Sequence, residues 1–192
     1  PMHLPPPLRR APWLPLVLGG GALICVLALS ACATRVPPGI QPVDFDVDRY
    51  VGHWYEVARI DHIFEKGLVR TGADYRRNDD GTIRVVNRGF DPERRQWKQS
   101  TGKARFVGAP TQAALKVSFF GPFYGGYNVV ALDPQYQWAM VVGSRLDYFW
   151  ILSRTPTLAQ DVKDKLMDQA RALGVDEQQV LWVPQEGAST TD

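Results

Sequence analysis

From Gly52 onward, apolar and polar residues mostly alternate, and small clusters of turn-forming residues interrupt the alternation at short intervals. A period of two puts successive side chains on opposite faces of a strand, so the pattern predicts a chain of half-buried β-strands. Strands are expected near 52–60, 68–78, 82–90, 95–107, 113–120, 126–133, 138–144 and 148–153. Asn78-Asp79-Asp80-Gly81 is the clearest hairpin turn, because glycine supplies the positive φ that such a turn needs. Asp91-Pro92-Glu93-Arg94, Gly108-Ala109-Pro110, Gly125-Gly126 and Asp133-Pro134 mark further turns. One segment changes period. Leu158, Val162, Leu166, Gln169 and Leu173 recur at helical spacing, which predicts an amphipathic helix over 155–173. Thr155 would cap it, Pro156 would sit in its first turn and Gly174 would end it. A last short strand is expected over 179–183. The fold class is therefore all-β, and eight strands joined by short turns close most simply into an eight-stranded antiparallel up-and-down β-barrel, here with a C-terminal α-helix and a short final strand. Closure removes the exposed edges of an open sheet, and eight strands leave room for one small ligand. Strand number alone leaves a β-sandwich open as well.

The first 31 residues follow a different pattern. Arg9 and Arg10 precede an apolar run from Leu14 to Leu29, the charged-then-apolar order of a secretory signal. The run is about 16 residues, short of the ~20 that span a bilayer as a helix. Leu29-Ser30-Ala31-Cys32 directly after it resembles a lipobox, so Cys32 is expected to carry the lipid anchor. Two or more acyl chains hold a protein firmly to a membrane where one holds weakly. Ala33 stands where an aspartate would favour inner-membrane retention, so the expected location is the outer membrane, lipid-anchored, on its periplasmic face. The expected organisation is signal peptide 1–31, lipidated tether 32–48, barrel with C-terminal helix 49–184 and flexible tail 185–192.

Losing the signal changes the charge balance. Removing Arg9 and Arg10 from 22 Lys+Arg leaves 20 against 20 Asp+Glu, a neutral mature chain. Nucleic-acid binding then has no electrostatic footing. Cys25 leaves with the signal and Cys32 is consumed by lipid, so no disulfide forms within one mature chain and a hydrophobic core must supply stability.

Three collinear motifs choose the barrel. Gly52-His53-Trp54-Tyr55-Glu56 matches the Gly-x-Trp signature that opens the first strand of lipocalins. Asp133 and Tyr136, between strands six and seven, resemble the family's second motif, with Leu132 in place of its threonine and two residues between the pair. Leu152-Ser153-Arg154 matches the third motif. The chain resembles a lipocalin over about residues 45–184, in particular the bacterial outer-membrane branch to which apolipoprotein D-like proteins are related. The segments Trp54–Arg59, Ala114–Asn128 and Tyr148–Arg154 carry that closer likeness. In an eight-stranded meander all three motifs fall at one end of the barrel. Gly52, Trp54, Asp133, Tyr136 and Arg154 are therefore expected to close a floor, with the Arg154 guanidinium over the Trp54 indole.

The opposite end is the expected mouth, where Phe64, Phe120, Phe123 and Tyr124 make two loops unusually apolar. Such a mouth suits an acyl chain, a membrane surface or a second copy in a homodimer. Strand alternation proposes the lining: Glu56, Ala58, Tyr75, Val85, Asn87, Phe106, Val117, Phe119, Asn128, Trp138, Tyr148 and Trp150. The register is open between Asp74 and Tyr75, Tyr127 and Asn128, and Trp138 and Met140. The resemblance implies a fatty acid or lysophospholipid as ligand, bound for storage or transport in membrane maintenance. The mature chain's two histidines, His53 and His62, form no catalytic set with a serine and acid and no metal cluster, so neither enzyme activity, cofactor nor metal is expected. The rival expectation is a structural or protein-docking lipoprotein with a filled barrel.

Overall fold

The computed structural model describes residues 36–186; Cys32 and the signal peptide lie outside the described residues. A short helix, α1 (Val47–Tyr50), precedes eight antiparallel strands: β1 (Gly52–Ile60), β2 (Val69–Arg77), β3 (Ile83–Asp91), β4 (Gln96–Phe106), β5 (Ala114–Phe120), β6 (Phe123–Leu132), β7 (Trp138–Val142) and β8 (Phe149–Ser153). Helix α2 (Gln160–Ala172), a 3-10 turn (Glu177–Gln179) and β9 (Val180–Trp182) follow. Each strand pairs with its sequence neighbour, and β1 pairs with both β8 and β2, which closes the barrel.

Apolar side chains sort into two layers. Inside the barrel, at its closed end, Trp54, Ile83, Val85, Leu115 and Leu152 belong to one core with Phe45, Val47 and Tyr50 from the segment before β1. Outside it, Met140, Val142, Phe149 and Ile151 form a second core with Leu166 and Ala170 of α2. Strands β7 and β8 are apolar on both faces because the helix covers their outer face. Helix α2 starts at Gln160 instead of Thr155. Thr155 Oγ1 donates to the Thr157 carbonyl, 2.7 Å away, and this local turn replaces a cap; Ala159 at the N-cap makes no side-chain bond. Its C-terminus follows expectation, with Gly174 at φ +90° and Val175 N–H donating to the Ala170 carbonyl.

The expected tether is shorter than 32–48. Ile40, Phe45 and Val47 are buried, and the Val43 and Phe45 amides donate to the Val129 and Thr111 carbonyls, so the chain packs on the barrel from Ile40. The expected tail also starts later: Gln185 is buried, and its side-chain amide donates to the Glu56 and Thr71 carbonyls at 2.7 and 3.0 Å.

The floor is built by the motif residues. Trp54 is fully buried, its indole N–H donates to the Tyr50 carbonyl at 2.7 Å, and Arg154 lies 3.8 Å above the ring. The same guanidinium donates to the carbonyls of Arg49, Tyr50, Val51 and His53, groups that the end of α1 and the start of β1 leave without strand partners. Gly52 makes this possible. Its φ is +101°, and a Cβ there would stand 3.3 Å from Arg154 Nη1. Asp133 Oδ2 accepts from the Gln135 and Gln137 amides, and the Tyr136 hydroxyl accepts from the Asp46 amide at 2.8 Å.

Two local features set the interior. A bulge between Glu56 and Ala58 in β1 flips the alternation. Glu56 faces in, Val57 and Ala58 both face the helix, and Arg59 turns inward. In addition, β1 pairs with β2 only over Gly52–Tyr55; over Ala58–Ile60 it pairs with β9 instead. The barrel wall therefore parts between β1 and β2 toward the mouth, and β9 and Gln185 cover the seam.

Candidate functional site

Above the floor the barrel encloses a cavity of about 850 Å3 that opens at the end opposite Trp54. A filled barrel is thus not what this sequence builds, and the volume falls in the range of small-molecule sites. Its base is Phe45, Tyr50, Tyr75 and Tyr127. The three tyrosines form a chain: Tyr127 and Tyr50 hydroxyls are 2.7 Å apart, and Tyr127 donates to Tyr75 at 2.9 Å. Burial first, and then the other two hydroxyls, hold Tyr127 well above the usual phenol range, so this layer stays neutral.

Of the residues expected to line the cavity, Glu56, Tyr75, Val85, Asn87, Val117, Phe119, Tyr148 and Trp150 do. Four do not. Ala58 is turned beneath the helix by the bulge. Phe106 faces inward but below the cavity, edge-on to Phe45 at 6.0 Å. Asn128 is buried beside β7, its amide donating to the Val142 and Gly143 carbonyls at 3.2 Å, and Tyr127 takes the inward place. Trp138 packs under α2 with Met140, and Val141 faces in. The mouth residues Phe64, Phe120, Phe123 and Tyr124 all stand at the opening. Phe64, Phe120 and Phe123 are 62%, 78% and 65% exposed, and Ile63 beside Phe64 is 95% exposed, so two loops of the rim present exposed apolar surface.

Strand alternation missed the most polar part of the wall. Arg59 is 1% exposed where β1 and β2 separate. Its five N–H groups are all engaged: Nε by Asp61 at 2.7 Å, Nη1 by Glu56 at 3.0 Å and Thr71 at 3.4 Å, Nη2 by the Glu65 and Leu68 carbonyls at 3.0 and 2.9 Å. The guanidinium fills the seam and ties the β1–β2 loop to the barrel. Burial opposes its charge, and Glu56 and Asp61 outweigh burial, so its pKa is raised. The signal was present in the sequence as a single arginine between Ala58 and Ile60, but a strict period of two placed it outside.

Glu65, on the same loop, lines the cavity and accepts from the Trp150 indole N–H at 3.0 Å. Burial, reinforced by the Glu56 charge, pushes its carboxyl up to about 8 against the pull of Arg59. The native state therefore keeps a proton that the unfolded chain releases above its ordinary range, so stability falls as pH rises toward 8 and levels off beyond. Urea midpoints measured from about pH 5 to about pH 9 should decline, and Glu65→Gln should flatten that decline. An equal decline in both proteins would remove Glu65 as its source.

A family model described as a lipocalin-like domain matches residues 45–185. Outer membrane lipoprotein Blc of Escherichia coli K12 is 52% identical over 177 residues, covering 91% of this chain and 98% of that protein. Apolipoprotein D of Mus musculus is 31% identical over 150 residues, covering 72% and 76%. Among solved structures, insecticyanin from the tobacco hornworm Manduca sexta superposes with a TM-score of 0.62 at 20% identity, covering 80% of this chain and 88% of that one, a likeness of fold.

Proposed function

We propose, from the premise that this chain belongs to the lipocalin family, that its cavity takes up one single-chain amphiphile, a lysophospholipid or long-chain fatty acid, for storage or transport at the membrane. The protein is an outer-membrane lipoprotein like its bacterial relatives, held by acylated Cys32 and facing the periplasm. The observation that carries the reading is the open, mainly apolar cavity of about 850 Å3 under a rim of exposed aromatic side chains. Burying ten methylenes of an alkyl tail contributes roughly 8 kcal/mol. Ordering and association subtract several kcal/mol, and headgroup contacts return some, so a micromolar affinity is expected. The rim provides the surface across which a tail can leave a bilayer without crossing bulk water, and the reaction has no chemical step.

Trp150 lines the cavity and reports occupancy. Titrating the full mature chain, carrying Cys32→Ser to prevent acylation, with lysophosphatidylcholines of increasing tail length should change its tryptophan fluorescence. Affinity should rise with each added methylene until the cavity is filled. A flat response to every tail length would overturn carriage.

A further inference from the structure

The mature chain is neutral, but its charge is unevenly placed around the barrel. Tyr75, Val85, Ala104 and Val117 line the cavity, so strand alternation turns Arg76, Arg84, Lys103 and Lys116 to the outside of β2–β5, the part of the wall that α2 leaves bare. Arg88 and Arg105 share that face, and of these six cations all but Lys116 are exposed. Two carboxylates accompany them. Asp74 is paired with His53 at 3.0 Å, and Asp80, on the β2–β3 hairpin, lies 3.9 Å from Lys103. The side covered by α2 has the reverse balance, with five acids against three bases between Gln160 and Gln179.

The strand register makes this arrangement costly for the fold. Arg76 stands opposite Arg84, Arg84 opposite Lys103, and Arg105 opposite Lys116. Like charges at directly paired positions repel, and the sheet gains nothing from such a row. Of Arg76, Arg84 and Lys103, only Lys103 has a carboxylate partner among the described residues. Arg84, Lys103, Asp80, Thr101 and Ser118 border a shallow groove of about 440 Å3 on this face. Toward the mouth the face ends in aromatic side chains. Trp97 is 54% exposed and edge-on to Phe90 at 5.5 Å, with the Arg70 guanidinium 4.2 Å over Phe90 and 5.1 Å over Trp97. Further round the rim, Lys116 Nζ lies 4.9 Å over the Tyr124 ring, beside exposed Phe120 and Phe123. Spread cations below a band of aromatic rings suit a lipid–water interface, where cations meet phosphates and rings sit at headgroup level.

We propose that the outer face of β2–β5 is a second membrane contact: it rests on the phosphates of anionic phospholipids and lays the barrel on its side, with Trp97, Phe120 and Phe123 at the interface. The lipid anchor does not supply this orientation. The chain that leads from it, Phe45 to Tyr50, is part of the floor core, at the pole opposite the mouth. An anchor alone therefore leaves the distance between mouth and bilayer unset, and a side contact sets it. Acylation confines the protein to the surface, after which a basic face needs only weak attraction to orient it. Its cations are spread over four strands, so the partner is a phosphate-bearing surface and not a single small ligand. The contact is independent of what the cavity carries.

The test uses the full mature chain carrying Cys32→Ser, so that no acyl group contributes, and vesicles of phosphatidylcholine with or without about a quarter phosphatidylglycerol. Co-sedimentation at about 0.02 M salt should show roughly tenfold or more tighter partition to the anionic vesicles, and about 0.5 M salt should remove the difference. Arg84→Gln/Lys103→Gln should lose most of the anionic preference. Lys163→Gln/Lys165→Gln, on α2, changes the net charge equally and should keep it. The first variant should unfold at the same or a higher urea concentration, because the row of like charges is relieved, so its lost binding is not lost folding. In the acylated protein on anionic vesicles, lipids brominated near the headgroup should quench tryptophan fluorescence, and Trp97→Phe should remove part of that quenching. Equal partition to both vesicles, or equal loss in the two double variants, overturns the contact. Retention on heparin without vesicle binding also overturns it and assigns the face to an acidic macromolecule. Quenching unchanged in Trp97→Phe overturns the side-lying orientation.

Discussion

Arg59→Met should destabilise the barrel by about 3–5 kcal/mol, because it strips the partner from buried carboxylates without removing them. Glu56 is 13% exposed and Asp61 26% exposed, so neither recovers full hydration when the guanidinium leaves. The loss extends to the backbone. The Glu65 and Leu68 carbonyls, which Arg59 holds at 3.0 and 2.9 Å, belong to the β1–β2 loop and have Arg59 as their bridge to β1. The variant should therefore also expose this loop to hydrogen exchange, ahead of the outer core that β7 and β8 form with α2. A triple variant, Glu56→Gln/Arg59→Met/Asp61→Asn, should recover much of the stability, since it removes both signs of charge together. Urea unfolding followed by tryptophan fluorescence reads both effects. A midpoint unchanged in Arg59→Met would show that the seam closes without its guanidinium, and β9 with Gln185 would then be sufficient cover.

The same residue marks the boundary of what the sequence makes legible. The strands of the barrel, the helix and β9 follow from the alternation and the turn residues, because each is decided within a few neighbours. The lining of β3 and β5 follows for the same reason: Arg84 and Lys116 outside force Val85 and Val117 inside. The upper half of β1 does not follow. One extra residue at the bulge moves Ala58 out and Arg59 in, and nothing in the local pattern of Glu56-Val57-Ala58-Arg59 announces it. The decision lies in the distant β9, which takes over pairing with Ala58–Ile60. Trp138 and Asn128 failed for a related reason. Strands β6 and β7 are apolar on both faces, so hydrophobicity carries no register there, and only the docking of α2 tells Met140 from Val141. The Tyr50–Tyr127–Tyr75 chain joins three elements far apart in sequence, and pairing at that range is a product of closure.

Trp54→Ala should lower stability by about 3–5 kcal/mol through the void it leaves in the floor. Trp54 is the largest wholly buried side chain in the described residues, and it ties together two distant parts of the fold: Tyr50 through its N–H, with the rings 5.0 Å apart, and Arg154 across its face at 3.8 Å. Arg154 has independent work in holding the carbonyls of Arg49, Tyr50, Val51 and His53, so it stays in place when the indole goes. A double-mutant cycle with Arg154→Met isolates the cation–π contact, expected to contribute up to about 2 kcal/mol because the indole is shielded from water. Affinity for lysophosphatidylcholine should change little in Trp54→Ala. The tyrosine layer, with Phe45 beside it, lies between the indole and the cavity, and Trp54 is absent from the cavity wall. Lost affinity with unchanged unfolding would reverse the assignment, making Trp54 part of the ligand site and the tyrosine layer a penetrable one. Large destabilisation with affinity preserved fits a barrel whose fold is secured at one pole and whose ligand is received at the other.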